Sequence, residues 1–138
     1  MPDPSLNLIP VIVAVIVYMI IGIAWYSPYV LGRVWKRFMQ NEKQLNEISG
    51  TRIGLIYVFN TIASLLFAYV LAHIIKFAGL RTFIDGANAG FWIWLGFVVT
   101  TVLPVYLYES RSVVLYIIYI TYQLVANVVI GGIIAVIQ

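Results

Sequence analysis

Three carboxamides, Asn60, Gln123 and Asn127, are the strongest polar groups deep within long apolar runs. An amide without a partner in hydrocarbon costs several kcal/mol, so each is expected to face protein or trapped water. The chemistry open to them is hydrogen bonding. It can run between helices, at about 0.6 kcal/mol per pair, to a polar solute or ion moving along the same groups, or across an interface with another subunit. Ser64 lies one turn after Asn60, and Thr100 and Thr101 add hydroxyls to this candidate polar core. Hydroxyls in a helix bond back to the carbonyls of their own preceding turn and need no further role. Tyr119, Gln123, Asn127 and Gly131 recur every four residues and therefore share one helical face.

The remaining titratable groups cluster near the ends of the apolar runs. His73 is the single histidine; alone it cannot provide paired axial ligands or a multi-histidine metal site, and its place just before Lys76 predicts a satisfied side chain at the membrane boundary. Glu109 and Arg111 share one short turn, where they can pair with each other, with Arg33–Arg37 or with phosphate, or act as an acid, a base or a headgroup contact. Arg33, Lys36, Arg37 and Arg111 are candidate lipid-headgroup contacts, each gaining about 1 kcal/mol at an anionic leaflet. Cysteine is absent, which removes disulfides, thiolate metal sites and thiol nucleophiles. There is no nucleophile–base pair, metal-ligand cluster or phosphate-binding glycine loop, so no catalytic residue, cofactor or metal is expected. The net charge of +3 comes from basic residues beside the apolar runs, which membrane topology explains without nucleic acid.

The elements that must position these groups follow from the apolar runs themselves. Hydrophobic residues make up 63% of the 138 and charged residues 9%, with a mean hydropathy of +1.01, against the roughly one quarter charged of soluble domains. A bilayer core of about 30 Å needs roughly 20 apolar residues in a helix. The stretches Leu6–Tyr26, Ile53–Lys76, Ala87–Leu107 and Val113–Ile137 each reach that length. The fold class is therefore an all-α membrane protein, four transmembrane helices in an antiparallel bundle forming a single domain. No piece outside the spans is long enough to bury a core of its own.

Local signals refine this. Pro10 falls in the first turn of span one, where its missing N–H has no helical partner to lose, and Ser27-Pro28 ends it. Within Tyr29–Met39, Val30, Leu31, Val34, Trp35 and Phe38 lie on one helical face and Arg33, Lys36 and Arg37 on the other, which predicts a short interfacial amphipathic helix between spans one and two. Asn41–Gly50 reads as a solvated linker. Ser64, Ala68 and Ala72 form a ridge of small residues in span two suited to close helix packing, with Val70 and Ile75 expected off that ridge. Gly79 and Gly86 suit turns in the second connection, Phe77–Gly86. Gly86, Gly90 and Gly131 are further candidate packing positions. Pro104 is expected to kink span three or loosen its last turn. The tight Tyr108–Ser112 connection requires spans three and four to form an antiparallel hairpin.

Orientation follows from basic residues. Arg33, Lys36, Arg37, Lys43, Arg52 and Arg111 border the first and third connections, while only Lys76 and Arg81 border the second. The positive-inside rule places the first and third connections in the cytoplasm and both termini outside. The first span carries no basic segment before it and no cleavage site after it, and is expected to persist as an anchor.

Trp25-Tyr-Ser-Pro28 with Leu31-Gly-Arg and Trp35, Asp85-Gly-Ala, Trp94-Leu-Gly-Phe97, Thr100-Thr101, Tyr108-Glu-Ser-Arg111 and Tyr122-Gln-Leu-Val125 together resemble the small membrane proteins grouped as domain of unknown function 1761. The resemblance covers nearly the whole chain and implies a four-span prokaryotic membrane protein with no assigned activity. The expected function is a non-catalytic interaction protein of the cell membrane, an accessory subunit of a larger assembly or a self-associating bundle. Its expected partners are the lipid bilayer and other membrane subunits or itself, and not nucleic acid. A small oligomeric channel or transporter lined by Asn60, Gln123 and Asn127 is the alternative.

Overall fold

A computed structural model describes residues 7–40 and 50–138. Of the linker expected at Asn41–Gly50, residues 41–49, with Lys43, lie outside the described residues, and Gly50 already belongs to a helix; the chain before Asn7, including the expected start of span one at Leu6, also lies outside them. The chain forms α1 (Leu8–Trp25), α2 (Gly32–Gln40), α3 (Gly50–Phe77), α4 (Phe83–Ile93), a π-helical segment (Trp94–Val99), α5 (Thr100–Tyr108) and α6 (Val113–Ile137). Four continuous helical stretches, 8–25, 51–77, 83–108 and 113–137, are long and apolar enough to cross a membrane. The third is built from α4, the π segment and α5.

The centre of the bundle is α6, which buries residues along its whole length from Leu115 to Ala135. Helices α1, α3 and α4 surround it. The core joins Val11, Ala14 and Val15 of α1, Ala68, Leu71, Ala72 and Ile75 of α3, and Ile130, Ile134 and Ala135 of α6. Ile75 corrects the sequence reading: it is fully buried, at the middle of the α3 stripe. Eleven residues from Ser64 make three turns, so Ile75 returns to the face of Ser64 rather than turning to lipid.

The ends of the helices are set by local chemistry. Asn7 caps α1, its side-chain oxygen accepting from the Ile9 N–H at 3.1 Å. The chain leaves α1 through a turn in which the Leu31 N–H donates to the Trp25 carbonyl at 3.1 Å and the Gly32 N–H to the Ser27 carbonyl at 2.8 Å. A Cβ at Gly32 would stand 2.2 Å from the Tyr26 carbonyl oxygen, so this reversal requires glycine. The turn delays α2 to Gly32, three residues after the expected Tyr29, and leaves Tyr29 and Val30 exposed. Arg33, Lys36 and Arg37 are exposed on α2 while Trp35 and Phe38 are half-buried. Only part of the expected apolar face therefore reaches the bundle.

Helices α3 and α5 end alike. The Leu80 N–H donates to the Ile75 carbonyl and the Gly79 N–H to that of Lys76, each at 3.1 Å, with Gly79 at φ 69°. This paired pattern around a left-handed residue satisfies the last carbonyls of a helix. At α5 the same pattern joins Arg111 to Tyr106 at 3.0 Å and Ser110 to Leu107 at 3.2 Å, with Ser110 at φ 53°.

Gly86, expected in a turn, instead lies inside α4. Thr82 caps that helix, accepting from the Asp85 N–H at 3.1 Å and donating to the Asp85 carboxylate at 2.6 Å, and this reciprocal cap starts α4 at Phe83. Asp85 therefore occupies the first helical turn of the third span, where the helix N-terminus favours an acid. Gly86 then faces Gly131, and Gly90 faces the backbone of Asn127. A Cβ at either would stand 2.2 Å and 2.1 Å from those carbonyl oxygens. The α4–α6 crossing is thus a contact of backbone on backbone, which only glycine permits.

Candidate functional site

The splay of α3 opens a groove on the bundle. From Thr51 to Asn60 every residue of α3 is exposed, and burial begins only at Ser64. Ser64, Ala68 and Ala72 are buried: with small side chains α3 lies against its neighbours, and above them it diverges. A cavity of about 610 Å³ fills the space between the diverging part of α3 and α1, α2 and α6. A second, of about 300 Å³, extends toward the π segment and α5. The two share Tyr18, Asn60, Tyr119 and Gln123, so this polar group marks the point where they meet.

One wall of the larger cavity is an aromatic series. Trp35 of α2 meets Tyr26 edge-on at 5.7 Å, Tyr26 meets Tyr122 at 5.7 Å, and Tyr122 meets Tyr18 at 5.5 Å and Tyr119 at 6.4 Å. Such edge-on and tilted pairs hold rings at fixed angles and are worth about 0.5–1.5 kcal/mol each. Gly22 permits the Tyr122 ring to approach α1, since a Cβ there would stand 3.0 Å from its hydroxyl oxygen.

The amides are oriented by a single backbone carbonyl. Asn127 Nδ2 lies 2.6 Å from the Gln123 carbonyl oxygen. Two oxygens cannot share so short a contact, so the NH₂ group must face that carbonyl. The same NH₂ lies 3.3 Å from Gln123 Oε1, which fixes the Gln123 side chain in turn: its oxygen faces Asn127 and its NH₂ faces the tyrosines. Gln123 Nε2 donates to Tyr18 Oη at 2.7 Å and to Tyr119 Oη at 3.0 Å. Both phenols therefore accept from Gln123, and each keeps its own proton to donate. Asn127 Oδ1 is buried without a hydrogen-bond partner among the described residues.

The candidate residues thus separate into distinct environments. Gln123 and Asn127 are buried and joined, whereas Asn60 is exposed on the rim of the groove, a correction to its expected inward burial. The divergence of α3 carries it away from α6. Its side chain has no hydrogen bond among the described residues. Ser64 donates to the Asn60 carbonyl at 2.7 Å. Thr100 donates to the Gly96 carbonyl at 2.6 Å and Thr101 to that of Phe97. Both threonines are exposed rather than in the polar core; Thr101 borders the smaller cavity, and Thr100 borders neither.

The distortion expected at Pro104 is displaced toward the N-terminus. Pro104 stands inside α5, and the irregular stretch is the π-helical turn at Trp94–Val99. Polar contacts attach it to α6: Trp94 Nε1 donates to the Ile120 carbonyl at 2.9 Å and the Tyr116 hydroxyl to that of Val99 at 3.2 Å. At the third connection Arg111 lies 3.9 Å from Glu109 and 4.9 Å above the Tyr106 ring, so its charge faces protein as well as solvent. His73 lies against Tyr69, with ring centres 4.5 Å apart and Nδ1 3.1 Å from the Tyr69 carbonyl oxygen.

Tyr119 was placed on the face of Gln123 by its spacing, but Tyr18, Tyr26 and Tyr122 were the part of the site that sequence reasoning missed. A signal existed. Tyrosine favours the headgroup boundary, so Tyr18 and Tyr122, far inside their helices, called for a polar partner at depth.

Helices and groove together define a four-span, all-α membrane protein with a mixed aromatic and amide site between its spans. The chain belongs to the family described as Protein of unknown function (DUF1761), whose model matches residues 9–135. No curated protein and no solved structure matches it.

Proposed function

We propose that the protein is a non-catalytic interaction protein of the membrane that self-associates through the outer face of its third span. The observation that carries this reading is the exposure of that span: among the described residues, none from Trp94 to Tyr108 is buried. Yet Gly96, Thr100 and Leu103 share one of its faces, and a Cβ at Gly96 would meet nothing within 4 Å. Lipid does not require small residues, whereas a second helix approaching closely does.

Native mass spectrometry after mild detergent extraction tests this. The expected species is a homo-oligomer, and Gly96→Leu is expected to yield a folded monomer, because the added side chain enters open space within its own chain. A hetero-complex would assign the face to another subunit and make the protein an accessory component. A wild-type monomer would sink self-association; a homo-oligomer that also conducts would favour a second reading, a small oligomeric channel or transporter. That reading is supported by the unpartnered Asn60 amide beside Gln123, and it requires solute or ion flux in liposomes.

We propose also the orientation that its basic residues favour, with the first and third connections in the cytoplasm and both termini outside. Single cysteines at Ser5, Thr82, Asn46 and Ser112 can be labelled without background, because the chain has none of its own. Thr82 and Ser5 are expected to react from outside intact cells and Asn46 and Ser112 only after lysis. External labelling of Asn46 would reverse the orientation.

A further inference from the structure

We propose that the groove between α1, α3 and α6 is a binding site for a neutral lipid whose head is a flat ring bearing carbonyl oxygens, a quinone-class amphiphile. The donors come first. Because Gln123 Nε2 donates to both Tyr18 and Tyr119, neither phenol proton is spent on Gln123; Tyr18 also meets the Tyr122 hydroxyl, and the Tyr119 proton is the one left for an acceptor brought from outside. The Asn60 amide adds a further donor at the junction of the two cavities. Their common need is an acceptor oxygen, which a ring carbonyl supplies and a hydrocarbon tail does not.

Charge and shape narrow the class. Among the described residues, no Lys, Arg, Asp, Glu or His lines either cavity. A phosphate or carboxylate head placed there would lose its hydration without a counter-charge, whereas a neutral carbonyl needs only hydrogen-bond donors. The series Trp35, Tyr26, Tyr122, Tyr18 provides ring edges and faces for a flat head, and about 610 Å³ is the size of a site for a small organic ligand. The apolar mouth lies on a candidate membrane span, and Ile56 on its rim is 51% exposed. A lipid-borne ligand can therefore enter sideways with its tail left in the bilayer.

Equilibrium dialysis of the purified protein in mild detergent against a short-chain benzoquinone tests the site. Wild type is expected to bind saturably, at one molecule per chain. Tyr18→Phe combined with Tyr119→Phe removes the phenol hydroxyls beside Gln123 and is expected to weaken binding at least tenfold. Ile56→Trp fills the mouth from an exposed position, does not threaten the fold, and is expected to abolish binding. Tyr108→Phe, remote from the groove, should bind as wild type. The proposal is overturned if wild type shows no saturable binding, or if Ile56→Trp binds like wild type. Disulfide formation between Ile56→Cys residues of two copies in the unliganded protein would place a second copy in the groove, and would also overturn it.

Discussion

Gly90→Ala is expected to lower the melting temperature of the detergent-solubilised protein sharply. The new Cβ would lie 2.1 Å from the Asn127 carbonyl oxygen and 2.7 Å from its carbon. These are backbone atoms, so no rotamer change relieves the contact, and α4 must move away from α6 along its length. Overpacking a well-packed core costs about 1–3 kcal/mol; with backbone on both sides, the upper end of that range or more is expected. Gly86→Ala should behave similarly, since its Cβ would lie 2.2 Å from the Gly131 carbonyl oxygen. Gly54→Ala is the matched control. Nothing lies within 4 Å of a Cβ there, and alanine is favoured over glycine in a helix by about 1 kcal/mol, so stability should be unchanged or raised. If the melting series shows Gly90→Ala intact and Gly54→Ala damaged, the α4–α6 crossing described above is wrong.

The second large effect is expected along α3. Ile75 is 0% exposed, and Ile75→Ala should cost about 2–5 kcal/mol through lost burial and the cavity left behind. Ala68 is 1% exposed, and Ala68→Leu should cost about 1–3 kcal/mol by forcing α3 outward. Val70, on the same helix, is 47% exposed, so Val70→Ala and Val70→Leu should change little, because lipid accommodates either side chain. Thermal unfolding of these four variants in one detergent separates the faces. Equal losses at Val70 and Ile75 would mean that α3 is buried on both sides in the functional assembly.

Span number, the hairpin of spans three and four, and the packing glycines could be read from sequence for a simple reason. Length and apolarity are set by the thickness of the bilayer, a five-residue connection between long helices leaves no other arrangement, and glycine inside a helix carries a cost that close packing offsets. The phase of each helix was harder. In a soluble protein polar residues mark the outer face, but lipid accepts the same Ile, Val and Leu as the core does. Small and polar residues are then the remaining markers of the inner face. Where both were present, as at Gln123, Asn127 and Gly131, the face could be read. Ile75 carried neither mark, and its burial follows only from its turn-by-turn distance to Ser64.

The groove was decided by tertiary structure alone. Asn60 and Ser64 stand one turn apart on one helix, yet one is exposed and the other buried, because α3 leaves the bundle between them. No local pattern in the sequence encodes that divergence; it depends on where α1, α2 and α6 place their large aromatic rings. The orientation of Gln123 likewise depends on the side chain of Asn127 and on tyrosines from two helices that are far apart in the chain. Sequence by itself determined the solvent and the number of spans, because bilayer thickness acts on each segment separately; it named Gly86, Gly90 and Gly131 as candidates for packing, but which helix each one meets was decided by the tertiary structure. The cavity and its phenol hydroxyls arise from groups on different helices, and their relation exists only once the helices are packed.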